Sequence, residues 1–213
     1  AEKLSANVRQ QFEAKFKKEI FEGYGATETT PVASVNVPNK LDPDNFQPQV
    51  GQKVTTVGLP LPGSCFRIVD PQTLQPLPPM QDGLILVTGS QVMQGYVNAP
   101  EKSQAVLIEL SGRTWYKTGD KGHLDQDGFL TIVDRYSRFA KLGGEMISLG
   151  EVEDCVKATL GAPDMEVIAT AVADDKKGEK IILLLETKND VADIKKRLLE
   201  SNMSPLMIPS LIF

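Results

Sequence analysis

The chain has 213 residues, 41% of them hydrophobic, enough to bury a sizeable core in one or two domains. Its formal net charge is −5 with acids and bases interspersed, so it carries no basic footprint for a nucleic acid. No apolar run approaches the roughly 20 residues that cross a bilayer, no secretory signal is visible, and Cys65 and Cys155 lack metal-ligand spacing, reading as buried free thiols of a reducing compartment.

In chain order, Leu4, Val8, Phe12 and Phe16 recur at helical spacing among Gln, Lys and Glu, which predicts an amphipathic helix. FEGYGATETTP, at 21–31, then reads as a turn ending a buried strand. Gly23 and Gly25 allow a ligand to approach the backbone, and Tyr24 offers a flat apolar face to a base. Thr27 offers a hydroxyl to a phosphate oxygen, and Glu28 is a hard oxygen ligand for Mg²⁺. A strand-end turn with a solvated Glu explains the same residues without any function.

Pro-rich 38–48 and 71–79 read as loops. Runs at 54–58, 65–70, 83–88, 114–118 and 129–133 read as strands between Gly and Pro turns, suited to a small barrel-like sheet. WYKTGD, at 115–120, places Asp120 after a tight glycine turn, where its oxygens can accept both hydroxyls of a ribose. The single His123 has no second His or paired Cys for a zinc site and reads as a surface or strand-edge residue. Asp125-Gln126-Asp127-Gly128 starts like a calcium loop but lacks the later ligands and the closing Glu, so it reads as a hairpin turn.

Residues 134–138, DRYSR, form a polar break suited to a domain linker, from which Arg135 can reach a ribose or phosphate. Strand, glycine turn and strand follow over 139–149, and Ser148 caps a helix with Glu151 three residues on. Beyond it, 150–160 reads as helix, 165–173 and 179–187 as strands paired around a turn at 174–178, and 190–201 as helix, the order of a compact α+β unit. Lys176, Lys177 and Lys180, or Arg135 with Arg138 and Lys141, are candidate basic patches that by default are solvated charges.

GYGATE, YKTGD and DRYSRFAKLGGEMISLGEVE, in that order, resemble the motifs of the adenylate-forming acyl-activating superfamily: acyl-CoA synthetases, luciferases and nonribosomal adenylation domains. More narrowly, FEGYGATETTPVASVNVP and RFAKLGGEMISLGEVE resemble the acyl-[acyl carrier protein] synthetase half of bifunctional 2-acylglycerophosphoethanolamine acyltransferase/acyl-ACP synthetases. The likeness extends through VGLPLPG at 57–63 and VMQGYVNAPEKS at 92–103.

That resemblance implies an α/β and α+β fold. Residues 1–133 would be the end of the large adenylate-forming domain with a barrel-like subdomain, 134–138 a hinge, and 139–213 a truncated C-terminal lid. It implies that Tyr24 stacks on adenine between Gly23 and Gly25, Thr27 contacts the α-phosphate, Glu28 holds Mg²⁺, Asp120 takes the ribose hydroxyls and Arg135 contacts the nucleotide near the hinge. Ser137 falls at the pivot, a position usually filled by Asp or Lys, and Asp134 replaces a usual Gly. Lys141 falls where some relatives carry a lysine that assists thioester formation, and Gly143-Gly144 where the pantetheine arm passes; an exposed strand lysine is the plainer reading of Lys141.

The implied activity is ATP- and Mg²⁺-dependent conversion of a long-chain fatty acid to acyl-AMP, then transfer to the pantetheine thiol of acyl carrier protein. CoA is the alternative acceptor, and a non-catalytic nucleotide-binding module is the alternative of another class. The family's phosphate loop ending in Pro-Lys-Gly occurs nowhere, and NMSPLMIPSLIF stops before the turn whose lysine serves adenylation. The chain thus reads as a fragment expected to be inactive alone, from the cytoplasmic part of a parent attached to the bacterial inner membrane.

Overall fold

Ser5 accepts a hydrogen bond from the Val8 amide at 3.2 Å and so opens α1 (Ala6–Phe16). The structure is a computed structural model that describes residues 4–44, 46–174, 178–187 and 190–213. They divide into two units, Ala1–Val133 and Asp134–Phe213. The predicted helix is present, but Leu4 precedes it and none of its residues is buried; Val8 and Phe16 are each 53% exposed. Apolar spacing sets the helical face, whereas burial of that face needs a partner. Arg9 ties α1 to the next segment, donating to the Ile20 carbonyl at 2.8 Å and pairing with Glu22.

Five two-residue strands follow: β1 (Gly23–Tyr24), β2 (Ser34–Val35), β3 (Lys40–Leu41), β4 (Pro48–Gln49) and β5 (Leu59–Pro60). The order β1-β2-β5 makes one antiparallel sheet, and β3 pairs with β4 across a Pro-rich segment expected to be loop. The run at 54–58, expected as a strand, is a turn. The Thr56 hydroxyl donates to the Lys53 carbonyl at 2.8 Å and Asn36 Nδ2 to the Thr56 carbonyl at 2.7 Å, so side chains offer the backbone partners that a ladder would otherwise supply. Lys53 Nζ in turn lies 2.5 Å from Asp125, 2.6 Å from Asp127 and 4.8 Å from the centre of the Phe129 ring, pinning that turn to the Asp125-Gln126-Asp127-Gly128 hairpin.

The larger sheet of this unit is built from β6 (Ser64–Val69), β7 (Gly83–Gly89), α2 (Pro100–Val106) leading into β8 (Leu107–Leu110), β9 (Arg113–Leu124) and β10 (Leu130–Arg135). Its order is β10-β9-β7-β6, with β8 on β9. Leu84, Ile85, Leu86 and Val87 of β7 are all buried, so this central strand reads as an unbroken apolar run covered on both faces. Phe66, Ile68, Ile85, Val87 and Leu130 form the core, and each fully buried side chain of this kind contributes roughly 1.5–3 kcal/mol.

The expected short strand at 114–118 is the first half of the twelve-residue β9. Lys117 pairs with Leu86 and Lys121 with Leu84, so Thr118, Gly119 and Asp120 stand opposite Ile85 alone. Gly119, at φ +76°, permits this bulge. The expected tight turn is therefore an irregularity inside a continuous strand. Thr118 stitches it, its hydroxyl donating to the Ile85 carbonyl at 2.9 Å and accepting from the Asp120 amide at 3.0 Å.

In the second unit, β11 (Phe139–Leu142) and β12 (Glu145–Ser148) form a hairpin whose two-residue loop is Gly143-Gly144, at φ +61° and +96°. Positive φ at both loop residues suits a tight hairpin and explains two consecutive glycines. After α3 (Leu149–Leu160) come β13 (Val167–Asp174), β14 (Gly178–Leu185), α4 (Val191–Glu200) and β15 (Leu211–Ile212). The sheet order is β12-β11-β14-β13, with β15 parallel on β14, and the predicted pairing runs from Val167–Leu185 to Asp174–Gly178. Lys176 and Lys177 lie outside the described residues; Lys180 sits 3.9 Å from Asp174. Leu149, Val152 and Val156 of α3 and Ile194 and Leu198 of α4 pack with Ala169, Ile181 and Leu183 in one core.

Ser148 caps α3 as predicted, accepting from the Glu151 amide at 3.1 Å while its hydroxyl donates to Asp134. Ser148→Ala removes both bonds and is expected to destabilise this unit by about 1–2 kcal/mol, read as a lower urea midpoint at unchanged m-value.

Both cysteines are free, but Cys65 is exposed, correcting the expectation of burial. Alternation along β6 sends Phe66 and Ile68 inward and leaves Cys65 on the outer face. Cys155 is half-buried, and that burial pushes its thiol pKa up. His123 Nδ1 lies 2.7 Å from Asp82 Oδ1. Among the described residues, no group of three or more His, Cys, Asp or Glu could hold a metal, and no helix is long and apolar enough to cross a membrane.

Candidate functional site

The bulge in β9 turns the Asp120 side chain inward, leaving it only 8% exposed. There it accepts a hydrogen bond at 2.5 Å from the Tyr24 hydroxyl, from a residue 96 positions earlier on β1. The Tyr24 ring packs in the core of the larger sheet, 6.3 Å from the Phe66 ring and tilted by 49°. Burial, and then the neighbouring Asp120 charge, push the Tyr24 phenol far above its ordinary pKa. It stays protonated at all physiological pH and serves as a fixed donor to Asp120.

Glu28 stands in a one-turn 3₁₀ helix, Thr27–Thr29. Thr29 is 1% exposed; its hydroxyl oxygen accepts from the Ala26 amide at 2.9 Å and lies 3.0 and 3.1 Å from the carbonyls of Ala26 and Pro31, which fixes the turn. The Glu28 carboxylate accepts from the Tyr96 hydroxyl at 2.6 Å. That bond holds the Glu28 pKa below its usual value, against the opposing effect of partial burial. Tyr116, on β9, also acts on Glu28, and burial first, then the charge of Glu28, push the Tyr116 phenol up. Two carboxylates and three tyrosines from four separate segments thus converge in the first unit.

Other predicted residues sit as follows. Thr27 and Gly23 are exposed beside this cluster in sequence. Gly25 is half-buried, and a Cβ there would lie 1.8 Å from the Pro31 carbonyl oxygen, so the loop's own backbone demands this glycine. Arg135 and Ser137 are exposed in the second unit, and the Arg135 amide donates to the Asp134 carboxylate at 2.7 Å. Lys141 is exposed on β11, its amide donating to the Glu179 carboxylate; a Cβ on Gly143 or Gly144 would meet open space. The structure therefore brings Tyr24, Glu28 and Asp120 together in one unit and places Lys141, Gly143 and Gly144 on one hairpin of the other.

Sequence reasoning passed over Thr29, Tyr96, Tyr116 and Thr118. Tyr96 and Tyr116 lie inside VMQGYVNAPEKS and WYKTGD, and a phenol repeated next to each acidic motif was the available signal. A shallow cleft of about 360 Å³ lined by Gly63, Cys65, Thr88, Gly89, Arg113 and Thr114 shares no residue with this cluster.

Residues 1–97 match the AMP-binding enzyme family. Over 211 residues the chain is 30% identical to a long-chain-fatty-acid–CoA ligase of Bacillus subtilis (strain 168), an alignment covering 97% of this chain and 34% of that protein. Among solved structures it is similar to ATP-bound MatB from Rhodopseudomonas palustris, with a TM-score of 0.75 and 26% identity over 98% of this chain and 39% of that one. It is also similar to O-succinylbenzoate coenzyme A synthetase (MenE) from Bacillus subtilis in complex with ATP and magnesium ion, with a TM-score of 0.72 and 27% identity over 100% and 41% of the two chains. The chain spans about a third of the length of the curated relative.

Proposed function

The chain belongs to the AMP-binding, adenylate-forming enzyme superfamily, and on that premise we propose that it is part of an ATP-dependent ligase that activates a long-chain fatty acid and passes it to a pantetheine thiol. One observation carries the reading: the Tyr24–Asp120 pair and Glu28 converge in the unit that holds the family match. Asp120 takes the ribose hydroxyls; a carboxylate accepts several hydrogen bonds, so Tyr24 and a ribose can share it. The Tyr24 ring lies against adenine between Gly23 and Gly25, and Thr27 donates to the α-phosphate. The MenE complex with ATP and magnesium supports both ligands for this chain.

One carboxylate, Glu28, with no ring of further acids among the described residues, fits Mg²⁺, which takes most of its oxygens from phosphate and water. When bound, the ion neutralises phosphate charge as pyrophosphate leaves. In the first half-reaction the fatty acid carboxylate attacks the α-phosphorus and pyrophosphate departs. In the second, a thiolate attacks the acyl carbonyl and AMP departs. Lys141 and the Gly143-Gly144 tip serve the thiol step, Arg135 steadies the nucleotide, and the linker pivots near Ser137.

The thiol carrier has two readings, each with its own support. The sequence resemblance of FEGYGATETTPVASVNVP and RFAKLGGEMISLGEVE favours acyl carrier protein, together with an acyltransferase half that attaches the parent to the inner membrane. The name of the Bacillus subtilis relative favours CoA. The full-length enzyme given ATP, Mg²⁺, a long-chain fatty acid, holo-acyl carrier protein and CoA together decides by mass spectrometry. Label on the carrier protein is the expected result; label on CoA selects the second reading, and absence of adenylate and thioester overturns both.

A further inference from the structure

Tyr96 is tied to the Glu28 turn through its hydroxyl and to α2 through its backbone. Its hydroxyl donates to Glu28 Oε1 at 2.6 Å, and its amide donates at 2.8 Å to the Ser103 hydroxyl of α2, which also lies 3.0 Å from the Ala99 carbonyl. The same segment is sewn to the turn twice more, by the Met93 amide on the Glu28 carbonyl at 2.9 Å and by the Thr30 hydroxyl on the Gln91 carbonyl at 2.7 Å. The backbone at both ends of the Tyr96–Glu28 bond is therefore hydrogen-bonded to neighbouring segments.

We propose that Tyr96 is a positioning residue that holds the Glu28 carboxylate in the orientation in which it takes the divalent cation. The inference rests on the reading of Glu28 as the ligand of Mg²⁺. A monodentate carboxylate on a short turn has free rotation about its side-chain bonds, and a cation held mostly by phosphate and water gives it little guidance. A phenol bound to one oxygen removes that freedom and presents the other. Hydrogen-bond partners of a metal ligand typically govern about tenfold or more in metal affinity.

The test uses the full-length enzyme in excess over ATP, with no fatty acid, titrated with Mn²⁺ and followed by the loss of the free-ion paramagnetic resonance signal beyond that of the same ATP without protein. Tyr96→Phe is expected to weaken Mn²⁺ binding about tenfold, while ATP affinity without divalent cation stays unchanged. Glu28→Gln runs in parallel. If Glu28→Gln leaves Mn²⁺ binding intact, the metal reading of Glu28 falls and the proposal with it. If Glu28→Gln weakens Mn²⁺ but Tyr96→Phe does not, positioning by Tyr96 alone is overturned. An equal loss of metal-free ATP binding in Tyr96→Phe also overturns it, because a merely structural phenol affects nucleotide and metal alike.

Discussion

Asp120→Ala in the full-length enzyme is expected to weaken ATP binding about 100-fold or more, measured by calorimetry without fatty acid. Asp120 is 8% exposed and partnered by Tyr24, so the proposed bonds to ribose hydroxyls would form in a partly dry site where each charge-assisted bond is worth roughly 1.5–3 kcal/mol. The substitution also removes Asp120 as the acceptor of the half-buried Tyr24 hydroxyl. Tyr24→Phe separates these effects: it leaves the carboxylate in place, and its loss in ATP affinity is expected to be about tenfold smaller. Equal losses for the two variants would mean that Tyr24, not Asp120, supplies the ribose contact. Unchanged ATP affinity in Asp120→Ala would remove the residue from the nucleotide site altogether.

Gly25→Ala is expected to destabilise the enzyme by about 3 kcal/mol and to abolish adenylate formation, because backbone must move to relieve the overlap. The added Cβ would lie 1.8 Å from the Pro31 carbonyl oxygen and 2.8 Å from the Pro31 carbonyl carbon, and no rotamer change clears main-chain atoms. Moving that carbonyl disturbs Thr29, whose hydroxyl lies 3.1 Å from it, and through the same turn Glu28. Gly23→Ala is the control two residues away. Its Cβ would approach the Ser34 carbonyl oxygen at 3.0 Å, a contact that a small shift relieves, so a loss of about 1 kcal/mol or less is expected. A Gly25→Ala enzyme as stable as Gly23→Ala would show that this contact is not what requires glycine. It would return the residue to the earlier reading, in which the ligand needs the space.

The two glycines show where sequence reasoning stops. A glycine within GYGATE advertises close approach of something to the backbone, but the sequence carries no mark of what approaches. At Gly25 the answer is a carbonyl six residues on, brought there by the turn that buries Thr29. Asp120 shows the same limit. Its motif points to a binding acid, and the glycine before it predicts a tight turn. The pairing of Leu84 with Lys121 and Leu86 with Lys117 makes it a bulge instead, and that depends on β7, a strand about thirty residues away in the chain.

Local chemistry by itself determined much of this protein. Ser148 with Glu151 announced a capped helix, Gly143-Gly144 a tight hairpin, Asp125 to Gly128 a turn, and apolar runs the strands at 65–70, 83–88 and 129–133. These signals act between near neighbours, where propensity, capping and turn chemistry suffice. Only the tertiary structure decided that Tyr24 donates to Asp120, that Tyr96 holds Glu28, that the β-branched run at 54–58 closes into a turn around Asn36, and that Cys65 faces outward. Each of those outcomes depends on hydrogen-bond partners or on a choice of sheet face contributed by distant parts of the chain. Such long-range complementarity leaves little trace in local sequence, because the residues that make it are selected by a geometry that exists only once the strands have paired.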